Sequence, residues 1–192
     1  MITFYELGKY GRLGNQLFQY AALKSLGLKN NYEVKIPDFS DSVWHGQECL
    51  LKNFNLEADT FTEEDLKTLN QMYSEADPDV YDPSFFDTPD NTNLRGFFQS
   101  VHYFSEFEDQ IKKELTPKQE FVDKVNQFLE PHREDGKYEL VSIHIRRGDM
   151  MTHMHEMSPD LVFSKQDIYD NNTIFGNYLT KAVKKFDNKN VK

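Results

Sequence analysis

The chain holds a single cysteine, an excess of acids over bases, no apolar run near the length of a membrane span and no low-complexity tract, and each shortage removes a class of protein. Cys49 alone closes no intramolecular disulfide, so a reducing compartment is the expected home. No local pattern of cysteine with histidine marks it as a catalytic thiol, and it reads as a small hydrophobe. A membrane-spanning helix needs about 20 apolar residues, and the first residues lack the basic region and apolar core of a secretion signal. The chain therefore reads as soluble and cytoplasmic. Lys and Arg number 22 against 32 Asp and Glu, and the formal charge of −10 argues against a broad interface with nucleic acid or anionic lipid. An anionic ligand would need a local basic pocket.

Aromatic residues are plentiful, with 16 Phe and 10 Tyr in 192 residues. That is enough apolar surface for one large domain, or one and a fraction, and it excludes a disordered chain.

The most informative stretch is Val141-Ser-Ile-His144-Ile-Arg146-Arg147-Gly148-Asp149. The β-branched run over residues 140–145 predicts a buried strand, and it runs directly into two arginines, a glycine and a carboxylate. Guanidinium forks match phosphate oxygens bidentately, and Gly148 permits a sharp turn or a close approach to a ligand. Ligands of open α/β sheets bind beyond the carboxyl ends of strands. From spacing alone, Arg146 and Arg147 fit equally a ligand fork or surface residues paired with the chain's many carboxylates.

A first strand is predicted over residues 1–7, then a loop with Gly8, Gly11 and Gly14 at intervals of three, then a helix over residues 17–26 with Gly27 as its C-terminal cap. A strand, glycine loop and helix place free N–H groups at a helix start, which suits an anion or a polar ligand. The spacing is neither the dinucleotide fingerprint nor a phosphate loop, and a purely structural turn fits it as well. Further helices are predicted where Thr62 caps a run of acids beside a Phe61–Leu66 staple, where Ser105 and Glu108 form a capping box with the helix running to Leu115, and from Thr116-Pro117 to Pro131 with Phe121, Val125, Phe128 and Leu129 as its buried stripe. Residues 77–93 read as an irregular loop anchored by Phe85-Phe86, and residues 94–100 as a strand-like aromatic segment. A last helix is predicted from Thr173. The turn-rich connector over residues 131–137 sets a domain boundary, dividing the chain into 1–138 and 139–192.

Three segments, Gly11-Arg-Leu-Gly14-Asn15-Gln16-Leu-Phe-Gln-Tyr20-Ala21, Gly96-Phe-Phe-Gln-Ser-Val-His-Tyr-Phe104 and His144-Ile-Arg-Arg-Gly-Asp149, resemble in order and separation those of glycosyltransferase family 11, the α-1,2-fucosyltransferases. The resemblance implies an α/β fold with two Rossmann-like domains of the B type, acceptor-side first and GDP-fucose-binding second, the second incomplete in this chain. It implies transfer of fucose from GDP-fucose to the 2-hydroxyl of a terminal galactose, with inversion. Arg147, with Arg146 beside it, would hold the donor diphosphate. His144 and Asp149 would orient the arginines and their loop, with Gly148 at the turn. Gly11, Gly14, Asn15 and Gln16 would face the cleft, Asn15 donating to the sugar or β-phosphate. No metal cofactor is expected, because the arginine does the work of one at the leaving diphosphate. The partners implied are GDP-fucose and a galactose-terminated glycan, with no nucleic acid and no transmembrane segment, and with peripheral association at the inner face of the membrane.

The resemblance has two departures. Residues 150–157 carry Met150, Met151, His153, Met154, His155, Glu156 and Met157 where the family has an aromatic residue, and this loop has no clean zinc or copper spacing. Family members are about half as long again, so the remainder of the donor domain, with an F-x-x-S-D-D-type motif, is expected beyond Lys192. The alternative functions are an inactive fragment or a sugar- or nucleotide-binding remnant without turnover. Arg147-Gly148-Asp149 also spells an adhesion tripeptide, but the expected compartment is wrong for adhesion.

Overall fold

A computed structural model describes residues 1–134 except 41 and 45, then residues 136–142, 181, 184 and 185. It forms two compact units, Met1–Val122 and Asp123–Lys192.

In the first unit β1 (Ile2–Thr3) is short and wholly buried. The predicted strand over residues 1–7 stops short, with Tyr5 N–H taken by the Asn93 side chain (2.8 Å) and Leu7 N–H turned back to the Phe4 carbonyl (3.0 Å). Helix α1 (Leu13–Asn30) is longer at both ends than the sequence pattern suggested. Gly27 is not its cap. Asn31, at φ 56°, closes the helix, and its N–H donates to the Gly27 carbonyl. Gly27 is instead required for packing, since a Cβ there would lie 2.2 Å from Val34 Cγ2 on β2 (Val34–Ile36). Gly27→Ala is therefore expected to destabilise the protein by about 1–3 kcal/mol, despite alanine's higher helix propensity, with the loss read as a lower urea midpoint at unchanged slope.

The chain then makes a β3–β4 hairpin (Val43–Trp44, Gln47–Glu48), a 3-10 turn at Leu50–Asn53, strand β5 (Asp59–Thr60) and helix α2 (Glu63–Thr68). Thr62 caps α2 as expected, in a reciprocal box with Asp65. Hydrogen bonds from Lys35 (2.8 Å) and Thr62 hold the Asp65 carboxyl at about 2, below the usual carboxylate range. Strand β6 (Gln71–Ser74) and strand β7 (Thr92–Arg95) flank a 3-10 turn at Pro83–Asp87, where Phe85 is fully buried as the anticipated anchor. The strand-like segment expected over residues 94–100 ends at Arg95. Gly96 (φ 156°) and Phe98 (φ 53°) leave the extended region there.

All five long-range strands pair in parallel, in the order β5-β2-β1-β7-β6. This is a mixed α/β fold consistent with the Rossmann-like expectation. Its core is aromatic: Phe98 lies 5.3 Å from both Phe85 and Tyr103 and 6.2 Å from Phe4, ring centre to ring centre. Each such ring removed from water contributes roughly 1.5–3 kcal/mol.

Helix α3 (Glu108–Glu114) follows two 3-10 turns, Val101–Tyr103 and Ser105–Phe107. Ser105 does not cap it, because Phe104 packs on Phe18 (5.8 Å) and the chain is still in the tight turn at that point. The α3 end is buried around an acid. Glu114 accepts from the Tyr20 hydroxyl, from Lys24 Nζ (3.1 Å) and from Glu57 N–H (3.2 Å). Burial, then the bond to Glu114, pushes the Tyr20 hydroxyl well above its ordinary value.

Helix α4 (Gln119–Arg133) runs from the first unit into the second. The expected stripe is not buried: Val125 is 54% and Phe128 70% exposed, and Phe121 and Leu129 are half-buried. Pro131 does not stop the helix either, since in the last turn it removes one hydrogen bond only. The turn begins at Glu134 (φ 47°), and Tyr138 N–H donates to the Arg133 carbonyl (3.1 Å). Residues 140–142 belong to no strand, and the rest of the predicted arginine-bearing strand and most of the helix predicted from Thr173 lie outside the described residues.

Candidate functional site

Strand order reverses between β1 and β7, and open α/β sheets hold ligands at that point beyond the carboxyl ends. Two loops open there. The first follows β1 and carries Gly8 (φ 84°) and Gly11 (φ 85°), both in the left-handed region that favours glycine. A Cβ on Gly11 would also lie 2.7 Å from the Asn15 side chain. Gly14 differs, because it sits in the first turn of α1 facing open space. No side chain caps this helix start and no acid occupies its first turn, so its leading N–H groups point into the loop without a built-in carboxylate.

The second loop, Gly96 to Ser100, leaves β7. Gln99 Nε2 donates to Asn15 Oδ1 (2.8 Å), and the Tyr10 and Phe97 rings stack 4.7 Å apart. Gln19 joins the loops from beneath, its single Nε2 donating to the Tyr10 carbonyl (3.1 Å) and to the Gly96 carbonyl (3.0 Å). Glu75, just past β6, accepts from Phe97 N–H (2.7 Å) and Phe98 N–H (2.9 Å), which holds Phe98 in its left-handed conformation.

Of the residues singled out from sequence, Gly11, Gly14, Asn15 and Gln16 come together at this edge, but their roles divide. Asn15 is half-buried and meets Gln99 across the gap. Gln16 is buried at 3% exposure and turned inward, donating to the Gly11 carbonyl (2.8 Å) and accepting from Cys49 Sγ (3.5 Å). Burial raises the Cys49 thiol above its ordinary value, which suits packing rather than nucleophilic work. His144, Arg146, Arg147, Gly148, Asp149 and the methionine-rich loop at 150–157 lie outside the described residues. Sequence reasoning missed Gln19 and Glu75. A glutamine among Leu17, Phe18, Tyr20 and Ala21 was the available signal for the first; nothing local marks the second.

Among the described residues no group of three His, Cys, Asp or Glu side chains is placed to hold a metal, and no helix is long and apolar enough to cross a membrane.

The parallel α/β sheet brings amides, stacked rings and a glycine loop together at its order reversal, and comparison of the sequence makes the class a glycosyltransferase. The profile of Glycosyl transferase family 11 matches residues 2–192, and the chain belongs to that family of fucosyltransferases. No curated protein and no solved structure matches it. Two of the three segments that carry the family resemblance, Gly11 to Ala21 at the start of α1 and Gly96 to Phe104 after β7, thus meet at the strand reversal.

Proposed function

We propose that the protein transfers fucose from GDP-fucose to the 2-hydroxyl of a terminal galactose with inversion at the anomeric carbon. The observation that supports this most is the meeting of Asn15 and Gln99 at the strand reversal, since it joins two family segments 84 residues apart at a ligand-binding edge. In the reaction the anomeric C–O bond to the diphosphate breaks and a C–O bond to the galactose O2 forms, while the O2 proton passes to a general base. His144, Asp149 and the chain's other carboxylates are the candidates for that base. Arg147, supported by Arg146, binds the diphosphate and stabilises the charge that grows there as GDP departs. Asn15 meets the donor sugar or β-phosphate from the opposite side. Residues 1–138 form the acceptor-side domain of a B-type architecture and residues 139–192 belong to the donor domain. The enzyme works in the cytoplasm on glycans at the inner membrane face.

The test is an initial-rate assay of GDP release from GDP-fucose, with and without lactose, in the presence of excess EDTA. Acceptor-dependent release insensitive to EDTA, giving an α-linked fucose at galactose O2 by NMR, is the expected result. Metal-dependent release, or fucose on another hydroxyl, overturns the mechanism or the linkage; donor binding without release identifies a binding remnant.

A further inference from the structure

At the same carboxyl edge, on the β5 side of β1, Tyr5 and Phe61 stack with ring centres 5.9 Å apart and planes 20° from parallel. Tyr5 is 49% exposed, so burial does not account for its position. Both rings are fixed through their backbones, Tyr5 N–H to Asn93 Oδ1 (2.8 Å) and Phe61 N–H to the Ile36 carbonyl (3.0 Å). Next to Tyr5, Glu6 pairs with Arg95 Nε at 3.3 Å, and both side chains are well exposed. A preorganised aromatic surface beside an acceptor and a donor matches a sugar ring, which has an apolar C–H face and a rim of hydroxyls. The charges of Glu6 and Arg95 offset one another, which favours a neutral ligand over a phosphate.

We propose that Tyr5 and Phe61 are the platform for the terminal sugar of the acceptor, with Glu6 and Arg95 hydrogen-bonding its hydroxyls. This assignment rests on the transferase function proposed above. It places the acceptor across the carboxyl end of β1, from Phe61 after β5 to Arg95 at the end of β7, and leaves the Asn15–Gln99 gap to the donor.

Saturation-transfer NMR on the full chain with lactose and, separately, maltose, together with calorimetry of GDP-fucose binding, tests it in the wild type and in Tyr5→Ala, Tyr5→Phe and Phe61→Ala. Lactose binding weakened about tenfold or more in both alanine variants, retained in Tyr5→Phe, with GDP-fucose affinity and melting temperature unchanged, is the expected result. Lactose binding that survives in both alanine variants overturns the platform, as does absence of binding to either disaccharide in the wild type. So does a parallel loss of GDP-fucose affinity or melting temperature, which marks a structural role. Maltose bound in place of lactose and lost in Tyr5→Ala upholds the platform and overturns the galactose acceptor. Platform behaviour as expected in a wild type that binds no GDP-fucose upholds the sugar site and overturns the donor.

Discussion

Glu114→Ala is expected to cost about 3–5 kcal/mol, the usual penalty for removing one partner of a buried ion pair. Glu114 is fully buried and the Lys24 side chain is only 10% exposed. Alanine would strand the Lys24 ammonium, the Tyr20 hydroxyl and the Glu57 N–H around an empty space. Lys24 keeps one partner, the Glu57 carbonyl at 2.6 Å, which accepts a hydrogen bond but does not neutralise the charge. A melting temperature lower by roughly 10 °C follows for a chain of this size. Glu114→Gln retains an acceptor oxygen and opens no cavity, but it leaves the Lys24 charge equally unpaired, so it should recover only the smaller part of the loss. A loss below about 1 kcal/mol in Glu114→Ala, taken from urea midpoints, would show that solvent reaches Lys24 and that the cluster is not a closed one.

The second large effect falls on activity. For the transfer proposed above, Arg147→Ala should lower kcat/KM for GDP-fucose by about 100- to 1,000-fold, the range found when one preorganised donor to a developing anion is removed. The motif places Arg147 beside Arg146 and before Gly148 and Asp149, where a planar fork can bridge two phosphate oxygens and a carboxylate can fix its orientation. Arg147→Lys separates charge from geometry: lysine keeps the positive charge without the bidentate contact, so most of the loss should remain. Because the diphosphate gains charge as the glycosidic bond breaks, kcat should fall along with donor affinity. An unchanged kcat/KM for GDP-fucose in Arg147→Ala would exclude the role.

What could be read from sequence was what neighbouring residues decide. The Thr62 cap was legible because its partner Asp65 is three residues away, and the Phe85 anchor because an aromatic pair in a polar loop has few other uses. Gly27 was misread for the opposite reason. A glycine at the end of an apolar helical pattern looks like a stop, whereas its cause is Val34 on the next strand, which no local rule sees. Strand β6 was missed because it is an exposed edge of Gln, Met, Tyr and Ser, held by pairing with β7 rather than by apolar alternation. The family motifs fell on two segments that the fold brings together, but motif matching cannot tell a residue that faces the gap from one that builds the loop. Asn15 and Gln16 are adjacent, and the first faces the gap while the second is locked inward.

The Gln19 amide that ties the Tyr10 and Gly96 carbonyls spans 77 residues of chain on its longer side. Closing a loop of that length costs about 4 kcal/mol in chain entropy before any contact returns it. A nascent chain that has delivered β1, α1, β2, β5 and β6 therefore still has half of this edge, with the Gln19 amide lacking its Gly96 partner. Only when β7 slots between β1 and β6 do both loops acquire their shape, so the site is born in the same event that completes the sheet.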